Sequence, residues 1–219
     1  MIEYDRDAIC YKYITDFLRK DIPRRDGILG ELEDYAEKNS IPIVQPETAQ
    51  FLDVLTCIKK PERILEVGCA IGYSAMLMAE NLSDGGSITT LEWDADMAEF
   101  ARKNIERAGL SDRINVIKAD AKELLPTLSG EYDMIFLDGP KAHYIHMLND
   151  CVRLLKKGGI LVADNVLYKG MTVDPEHVVR RKITIVKRLR HFIGAQMQHP
   201  ELKAAVLPLG DGVTVAVKK

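Results

Sequence analysis

Short apolar runs alternate with longer stretches of helical period along most of this 219-residue chain. Each apolar run has the length of a strand and ends at a polar or glycine-rich turn. This alternation is typical of a parallel sheet covered by helices on both faces, the α/β class. The predicted strands are Arg63 to Val67, Ser87 to Glu92, Ile114 to Lys118, Tyr132 to Leu137 and Gly159 to Ala163. The predicted helices are Tyr73 to Leu82, Ala95 to Ala108, Ala121 to Leu128 and Tyr144 to Leu155.

The pattern changes at both ends of this alternating region. A basic helix over about His177 to Gln198 precedes two apolar runs, Ala204 to Leu209 and Val213 to Val217. Glycines between those runs, in Gly210-Asp211-Gly212, predict a hairpin that closes the sheet with antiparallel strands. The first sixty residues have helical character interrupted by proline and glycine, which predicts a helical cap over one edge of the sheet.

Composition agrees with one globular domain over residues 1–219, divided into a cap (1–60) and a core (61–219). Apolar residues make up 47% of the chain, and 30 basic residues face 33 acidic ones, so net charge does not point to a nucleic-acid partner. The start of the sequence lacks the pattern of a leader peptide, and no apolar run approaches the roughly 18 residues of a spanning helix. The four cysteines have neither metal-ligand nor disulfide-scaffold spacing. We therefore expect free thiols, no membrane contact and a cytoplasmic location.

A glycine-containing turn directly follows the first predicted strand. Glu66-Val67-Gly68-Cys69-Ala70-Ile71-Gly72-Tyr73-Ser74 could bring a nucleotide-like ligand close to the backbone at the start of a helix, or could simply allow strand and helix to pack. Glu92 ends the second strand, where such folds bind ribose hydroxyls, although it could equally favour the next helix start. A carboxylate at Glu66 would repel a pyrophosphate, which disfavours NAD and favours an amino-acid nucleoside.

Oxygen-bearing side chains follow the fourth and fifth predicted strands. Asp138 ends one strand, and Asp164 and Asn165 end the next. Because parallel strands end at the same edge of a sheet, these three residues are expected to converge there and to form a site suited to Mg²⁺. The alternative is that each aspartate only stabilises a local turn.

These motifs resemble those of class I metal-dependent O-methyltransferases that use S-adenosylmethionine, of the catechol and caffeoyl-CoA type. The resemblance runs from about Glu33 to the C-terminus. It rests on Glu66 to Ser74, Glu92, Ala119-Asp120-Ala121, Asp138-x-x-Lys141, Asp164-Asn165-Val166 and Leu209-Gly210-Asp211-Gly212. Within the family, Ile41-Pro42-Ile43-Val44, Val166-Leu167-Tyr168-Lys169-Gly170, the basic helix and His199-Pro200 are most similar to bacterial tRNA 5-hydroxyuridine methyltransferases.

The resemblance implies a Rossmann-like, seven-stranded methyltransferase sheet and a role for each matched residue. Metal binding is implied for Asp138, Asp164 and Asn165, and Lys141 matches the catalytic lysine, a suggested general base. The resemblance also implies that Asp138 takes part in catalysis and contacts the cofactor. The other implied cofactor contacts are Glu66, Gly68 and Ser74 at the methionine end with Val44 lining it, Glu92 at the ribose, and Asp120 with Ala121 at the adenine. Gly139-Pro140 departs from the family pattern, in which small residues such as alanine are more usual.

Charge placement bears on the acceptor. No acidic residue lies between His177 and Pro200, and this segment is expected to contact RNA phosphates. The expected contacts are Arg180, Arg181, Lys182, Lys187, Arg188 and Arg190. A solvated helix, or one that faces a dimer partner, is the alternative.

The predicted function is therefore Mg²⁺-dependent methylation of a hydroxyl that has a vicinal oxygen. The preferred acceptor is 5-hydroxyuridine at the tRNA wobble position, and a small catechol-like or caffeoyl-CoA-like molecule is the alternative. A nucleotide-dependent oxidoreductase and a non-catalytic RNA-binding module rank lower. A homodimer is also expected.

Overall fold

A computed structural model describes residues 9–174, 176 and 178–219. Within these residues, seven strands form a sheet in the order β3-β2-β1-β4-β5-β7-β6. The strands from β3 to β5 are parallel, and β7 is antiparallel to both of its neighbours. The predicted α/β class and the antiparallel closing strands are confirmed.

The strands are β1 Arg63–Val67, β2 Ser87–Glu92, β3 Ile114–Lys118, β4 Tyr132–Leu137, β5 Leu155–Ala163, β6 Leu202–Leu207 and β7 Val213–Lys218. The helices are α1 Lys12–Lys20, α2 Gly27–Asn39, α3 Pro46–Lys59, α4 Tyr73–Ala79, α5 Ala95–Arg107, α6 Ala121–Leu124, α7 Tyr144–Leu154 and α8 Ile183–Gln198.

Most predicted elements exist, and their differences are at the ends. β5 begins at Leu155 rather than Gly159, because Leu155 already pairs with Tyr132 before an irregularity in the β4–β5 register. A 3₁₀ turn over Arg180–Lys182 precedes α8, so the α-helix starts later than predicted. The predicted helix start at His177 lies outside the described residues, as do residues 1–8 of the predicted cap.

Hydrophobic clusters cover both faces of the sheet. Adjacent strand residues alternate between them: Ile64 packs into the cluster with α2 to α5, and Leu65 packs into the cluster with α6 to α8. Because both faces of the central strands are buried, those strands are apolar at almost every position. The second and third helices share the first cluster, so they help to cover one face of the sheet.

The strand order reverses between β1 and β4, whose carboxyl ends lie side by side. Such a reversal opens a crevice at the carboxyl edge of an α/β sheet, where ligands bind. Among the described residues, no helix combines the length and apolar character needed to cross a membrane.

Candidate active site

A cavity of about 1270 Å³ opens at the carboxyl ends of the central strands. Its wall includes most residues predicted to bind the cofactor or the metal, together with the predicted catalytic lysine. They are Val44, Gly68, Glu92, Asp120, Ala121, Asp138, Lys141, Asp164 and Asn165. The structure therefore brings these residues, which span more than half of the chain, to one crevice.

Gly68 lets the turn after β1 approach the end of β4. Its φ is +99°, and a β-carbon here would lie 2.6 Å from the carbonyl oxygen of Asp138. Its N–H donates to the carbonyl of Leu91 at 2.9 Å. Glycine is therefore needed at this position for both conformation and space.

Glu66 and Ser74 lie together behind this turn, and neither lines the cavity. The Ser74 hydroxyl donates to Glu66 at 2.6 Å, and the Thr90 hydroxyl donates to its other carboxylate oxygen. Burial raises the pKa of Glu66 to about 7, although both hydroxyl bonds oppose that shift. The pair supports the turn from behind.

Glu92 lines the cavity and also holds the turn. Its carboxylate accepts hydrogen bonds from the N–H groups of Ala70, at 2.9 Å, and Asp94, at 3.0 Å. The start of α5 is capped by Asp94, which accepts from the N–H groups of Asp96 and Met97. A carboxylate has about four acceptor positions, so Glu92 retains capacity for ribose hydroxyls.

Asp120 and Val44 belong to separate parts of the wall. Asp120 is the N-cap of α6 and accepts from the N–H of Lys122 at 2.9 Å, while Ala121 begins that helix. Val44, whose side chain is buried, belongs to the segment that connects α2 to α3. The three residues thus line the cavity from segments that are far apart in the chain.

The predicted metal ligands meet where β4 and β5 end. Asp138 is hydrogen-bonded to Lys141 Nζ at 2.7 Å, and Asp164 accepts from the N–H of Asn165 at 2.7 Å. Asp164 is only 1% exposed. Burial, followed by repulsion from Asp138, raises the pKa of Asp164 to about 8.

This donor set fits a divalent cation. Two carboxylates and an amide oxygen are hard ligands of the kind that Mg²⁺ prefers. A cation there would offset the burial and repulsion that oppose ionisation of Asp164. Within the described residues, no cluster of three or more His, Cys, Asp or Glu side chains is arranged for a metal. The predicted metal site has only two residues of these four types, Asp138 and Asp164, and its third ligand is Asn165.

Tyr144 is part of this site's framework and was not singled out from the sequence. It is fully buried, and its hydroxyl donates to the carbonyl of Leu137 at 2.9 Å and lies 3.3 Å from the carbonyl of Asp164. It therefore connects the ends of the two strands that carry the predicted metal ligands. An aromatic residue on the apolar side of a helix gives no sequence signal beyond core packing.

The six basic residues of the predicted RNA face divide into two groups. Arg180, Arg181 and Lys187 are exposed. The other three are half-buried and contact the protein itself: Arg188 and Arg190 donate to main-chain carbonyls, and the Lys182 ammonium lies 5.6 Å from the Tyr168 ring centroid. The structure thus separates residues that the sequence pattern had grouped.

Solved methyltransferase structures share this fold. An O-methyltransferase from Bacillus cereus in complex with SAH is 28% identical, with a TM-score of 0.83, and the match covers 94% of this chain and 97% of that one. An SAH-bound methyltransferase from Podospora anserina is 27% identical, with a TM-score of 0.85 and 94% coverage of both chains. The fold is that of an S-adenosylmethionine-dependent methyltransferase.

The sequence model of the family described as O-methyltransferase matches residues 23–219, and the chain belongs to this family. A catechol O-methyltransferase from Niastella koreensis is 32% identical over 94% of this chain and 95% of the relative. A caffeoyl-CoA O-methyltransferase from Stellaria longipes is 30% identical over 93% of this chain and 88% of the relative. The protein is thus an enzyme of the catechol and caffeoyl-CoA type, and the oxidoreductase and non-catalytic alternatives are set aside.

Proposed function

We propose that this enzyme methylates one hydroxyl of a small acceptor with two adjacent oxygens, such as a catechol, with the help of Mg²⁺. The main support for the proposal is that one cavity is lined by the oxygen-bearing residues, the lysine and Glu92. The residues concerned are Asp138, Asp164, Asn165, Lys141 and Glu92. The names of the curated relatives support a small phenolic acceptor better than the RNA acceptor preferred from the sequence.

The proposed cofactor site follows the cavity wall. S-adenosylmethionine supplies the methyl group on a positively charged sulfur. Glu92 binds the ribose hydroxyls, and Asp120 with Ala121 borders the adenine. Val44, Gly68 and Asp138 contact the methionine end, while the Ser74–Glu66 hydrogen bond keeps the turn in place from behind. Much of the catalytic effect then comes from orientation of the two reactants.

Asp138, Asp164 and Asn165 would hold Mg²⁺, which would orient two acceptor oxygens and favour loss of the hydroxyl proton. Lys141 Nζ lies 2.7 Å from Asp138 and lines the cavity, so in its uncharged form it can accept that proton. The acceptor oxygen gains the methyl group, the sulfur becomes neutral, and Lys141 Nζ keeps the proton.

RNA is a second candidate acceptor, and one specific observation favours it. Arg180, Arg181 and Lys187 present exposed positive charge within 8 residues of one another, although the chain as a whole has a net charge of −3. Exposed basic clusters of this kind bind phosphates. A 5-hydroxyuridine would offer the same adjacent oxygens. Homodimer formation and a cytoplasmic location stay predictions.

The test is methyl transfer by the purified enzyme from S-adenosylmethionine to catechol and to caffeoyl-CoA, with product detection by mass spectrometry. We expect transfer with Mg²⁺ and a loss on the order of 100-fold or more with EDTA or in Asp164→Asn, because the acceptor is no longer oriented. Asp16→Asn, which changes an exposed carboxylate on α1, is the control. Full activity in EDTA would contradict the proposed metal role.

A further inference from the structure

The segment that follows β5 reaches the cavity in a strained conformation. We call residues Asn165–Asp174 the acceptor loop, and two of its residues, Asn165 and Lys169, line the cavity. Asn165, Tyr168 and Lys169 have positive φ angles of 56°, 48° and 57°. Such left-handed conformations are unfavourable for residues that have a side chain. Contacts with the rest of the protein must therefore hold the loop in this shape.

The first half of the acceptor loop is held by the turn between β6 and β7. The N–H of Val166 donates to the carbonyl of Gly212 at 2.9 Å, and that of Leu167 donates to the carbonyl of Asp211 at 3.0 Å. The N–H of Lys169 donates to the Asp211 carboxylate. These bonds fix the residues nearest Asn165.

The second half of the loop is held by one side chain of α8. Arg190 Nε donates to the carbonyl of Thr172 at 2.7 Å, and its Nη2 donates to the carbonyl of Met171 at 3.3 Å. Thr172 in turn donates from its hydroxyl to the carbonyl of Leu167 at 2.9 Å. Hydrogen bonds from a charged donor are stronger than neutral ones. The guanidinium therefore connects α8, through Thr172, to the part of the loop that lines the cavity.

The helix that carries Arg190 is itself fixed relative to the catalytic strand ends. Leu189 and Phe192 are fully buried, and the Phe192 ring packs edge-on against Tyr144 with 5.4 Å between centroids. Tyr144 bonds to the carbonyl of Leu137, next to Asp138. The position of Arg190 is thus set by the same framework that holds the metal ligands.

We propose that Arg190 is a positioning residue: it holds the acceptor loop so that Asn165 and Lys169 keep their places beside the acceptor. This inference rests on the proposed function for the identity of the acceptor. It gives Arg190 a role inside the enzyme in place of the phosphate contact expected from the sequence. It also predicts that the loss of Arg190 affects acceptor binding more than cofactor binding, because the hydrogen bonds described for this side chain go to the acceptor loop.

The test compares Arg190→Gln and Arg190→Lys with His191→Gln, a control at an exposed position on the same helix. We expect Arg190→Gln to raise the KM for catechol by about tenfold or more. The affinity for SAH, measured by calorimetry, should stay within about twofold. Arg190→Lys should recover part of the effect, since an ammonium can still donate to a carbonyl. His191→Gln should behave like the wild type.

Hydrogen–deuterium exchange of the same proteins gives a readout that does not depend on turnover. We expect faster exchange at residues 165–174 in Arg190→Gln, and unchanged exchange at residues 66–74. Unchanged KM and unchanged exchange would overturn the proposal. So would equal losses of catechol and SAH binding that follow a lowered Tm, because they indicate general destabilisation. If the wild type methylated no acceptor, the proposed function would fail, and the exchange result alone would decide whether Arg190 anchors the loop.

Discussion

At the scale of single residues, the site combines side chains that face the cavity with buried ones that support them. Glu92 does both, because its carboxylate bonds to two N–H groups and still lines the cavity. Glu66 is one of the buried supporting residues, because its carboxyl group bonds to Ser74 and Thr90. A buried carboxyl group of this kind affects stability as well as function.

Ionisation of Glu66 should make stability depend on pH. Its pKa is about 7 in the folded protein against 4.5 ordinarily, so the folded state binds its proton more tightly than the unfolded state. The stability contributed by protonated Glu66 is complete below pH 4.5 and is lost as the pH rises to about 7. A shift of this size corresponds to about 3 kcal/mol.

Glu66→Gln should therefore lose this part of the pH dependence. The free energy of unfolding of the cofactor-free protein can be measured with urea at several pH values. As the pH rises from 4.5 to 7, we expect this free energy to fall in the wild type relative to the variant. Glu131→Gln, which changes an exposed carboxylate, is the control. A difference that is constant with pH would mean that Glu66 ionises normally.

At the scale of elements, the turn between β1 and α4 depends on close approach of two backbones. A β-carbon at Gly68 would meet the main chain of Asp138 and Gly139. Neither of these neighbours can move easily, because the N–H of Asp138 bonds to the carbonyl of Val67. The geometry of the turn is thus coupled to that of the strand end at Asp138.

Gly68→Ala should be more destabilising than Gly109→Ala. Both glycines have positive φ, but a β-carbon at Gly109 meets nothing within 4 Å. In both variants alanine must adopt a positive φ, which strains the backbone. Only Gly68→Ala adds a steric clash, which typically costs about 1–3 kcal/mol. We expect that difference in the free energy of unfolding from urea denaturation, with weaker SAH binding in Gly68→Ala alone. Equal destabilisation would show that the strand ends can separate without cost.

At the scale of the whole molecule, charge is distributed unevenly. Acidic residues exceed basic ones by three, yet three basic residues that are close in sequence, Arg180, Arg181 and Lys187, are all exposed. Because their side chains do not line the cavity, they are separate from the chemistry.

Replacement of Arg180, Arg181 and Lys187 by alanine should leave catechol methylation within about twofold of the wild type. If RNA is bound there, its affinity should fall steeply with salt, and the triple variant should flatten the logarithmic salt slope by roughly 0.9 per lost phosphate contact. Binding of a tRNA transcript, measured at several salt concentrations, provides the check. A large loss of catechol turnover would instead indicate a structural role for this surface.

Sequence alone predicted the layered fold, because buried parallel strands need continuous apolar runs and helices need a different period. It also predicted that Asp138, Asp164 and Asn165 would meet, since parallel strands end at one edge of the sheet. The ends of β5 and α8 were less predictable. Gly158 and Gly159 predicted the end of a helix and a strand that starts at Gly159. The pairing of Leu155 with Tyr132 instead places the start of β5 before both glycines.

What only the tertiary structure decided is which polar side chains face the cavity and which face the protein. Glu66 and Ser74 pair behind the turn, and Arg190 is directed to the acceptor loop. Local sequence specifies the type and spacing of a side chain, whereas its partner is set by packing between segments far apart in the chain. A carboxylate or guanidinium bonds to whichever complementary group the fold brings within about 3 Å, and that proximity is not written in either segment alone.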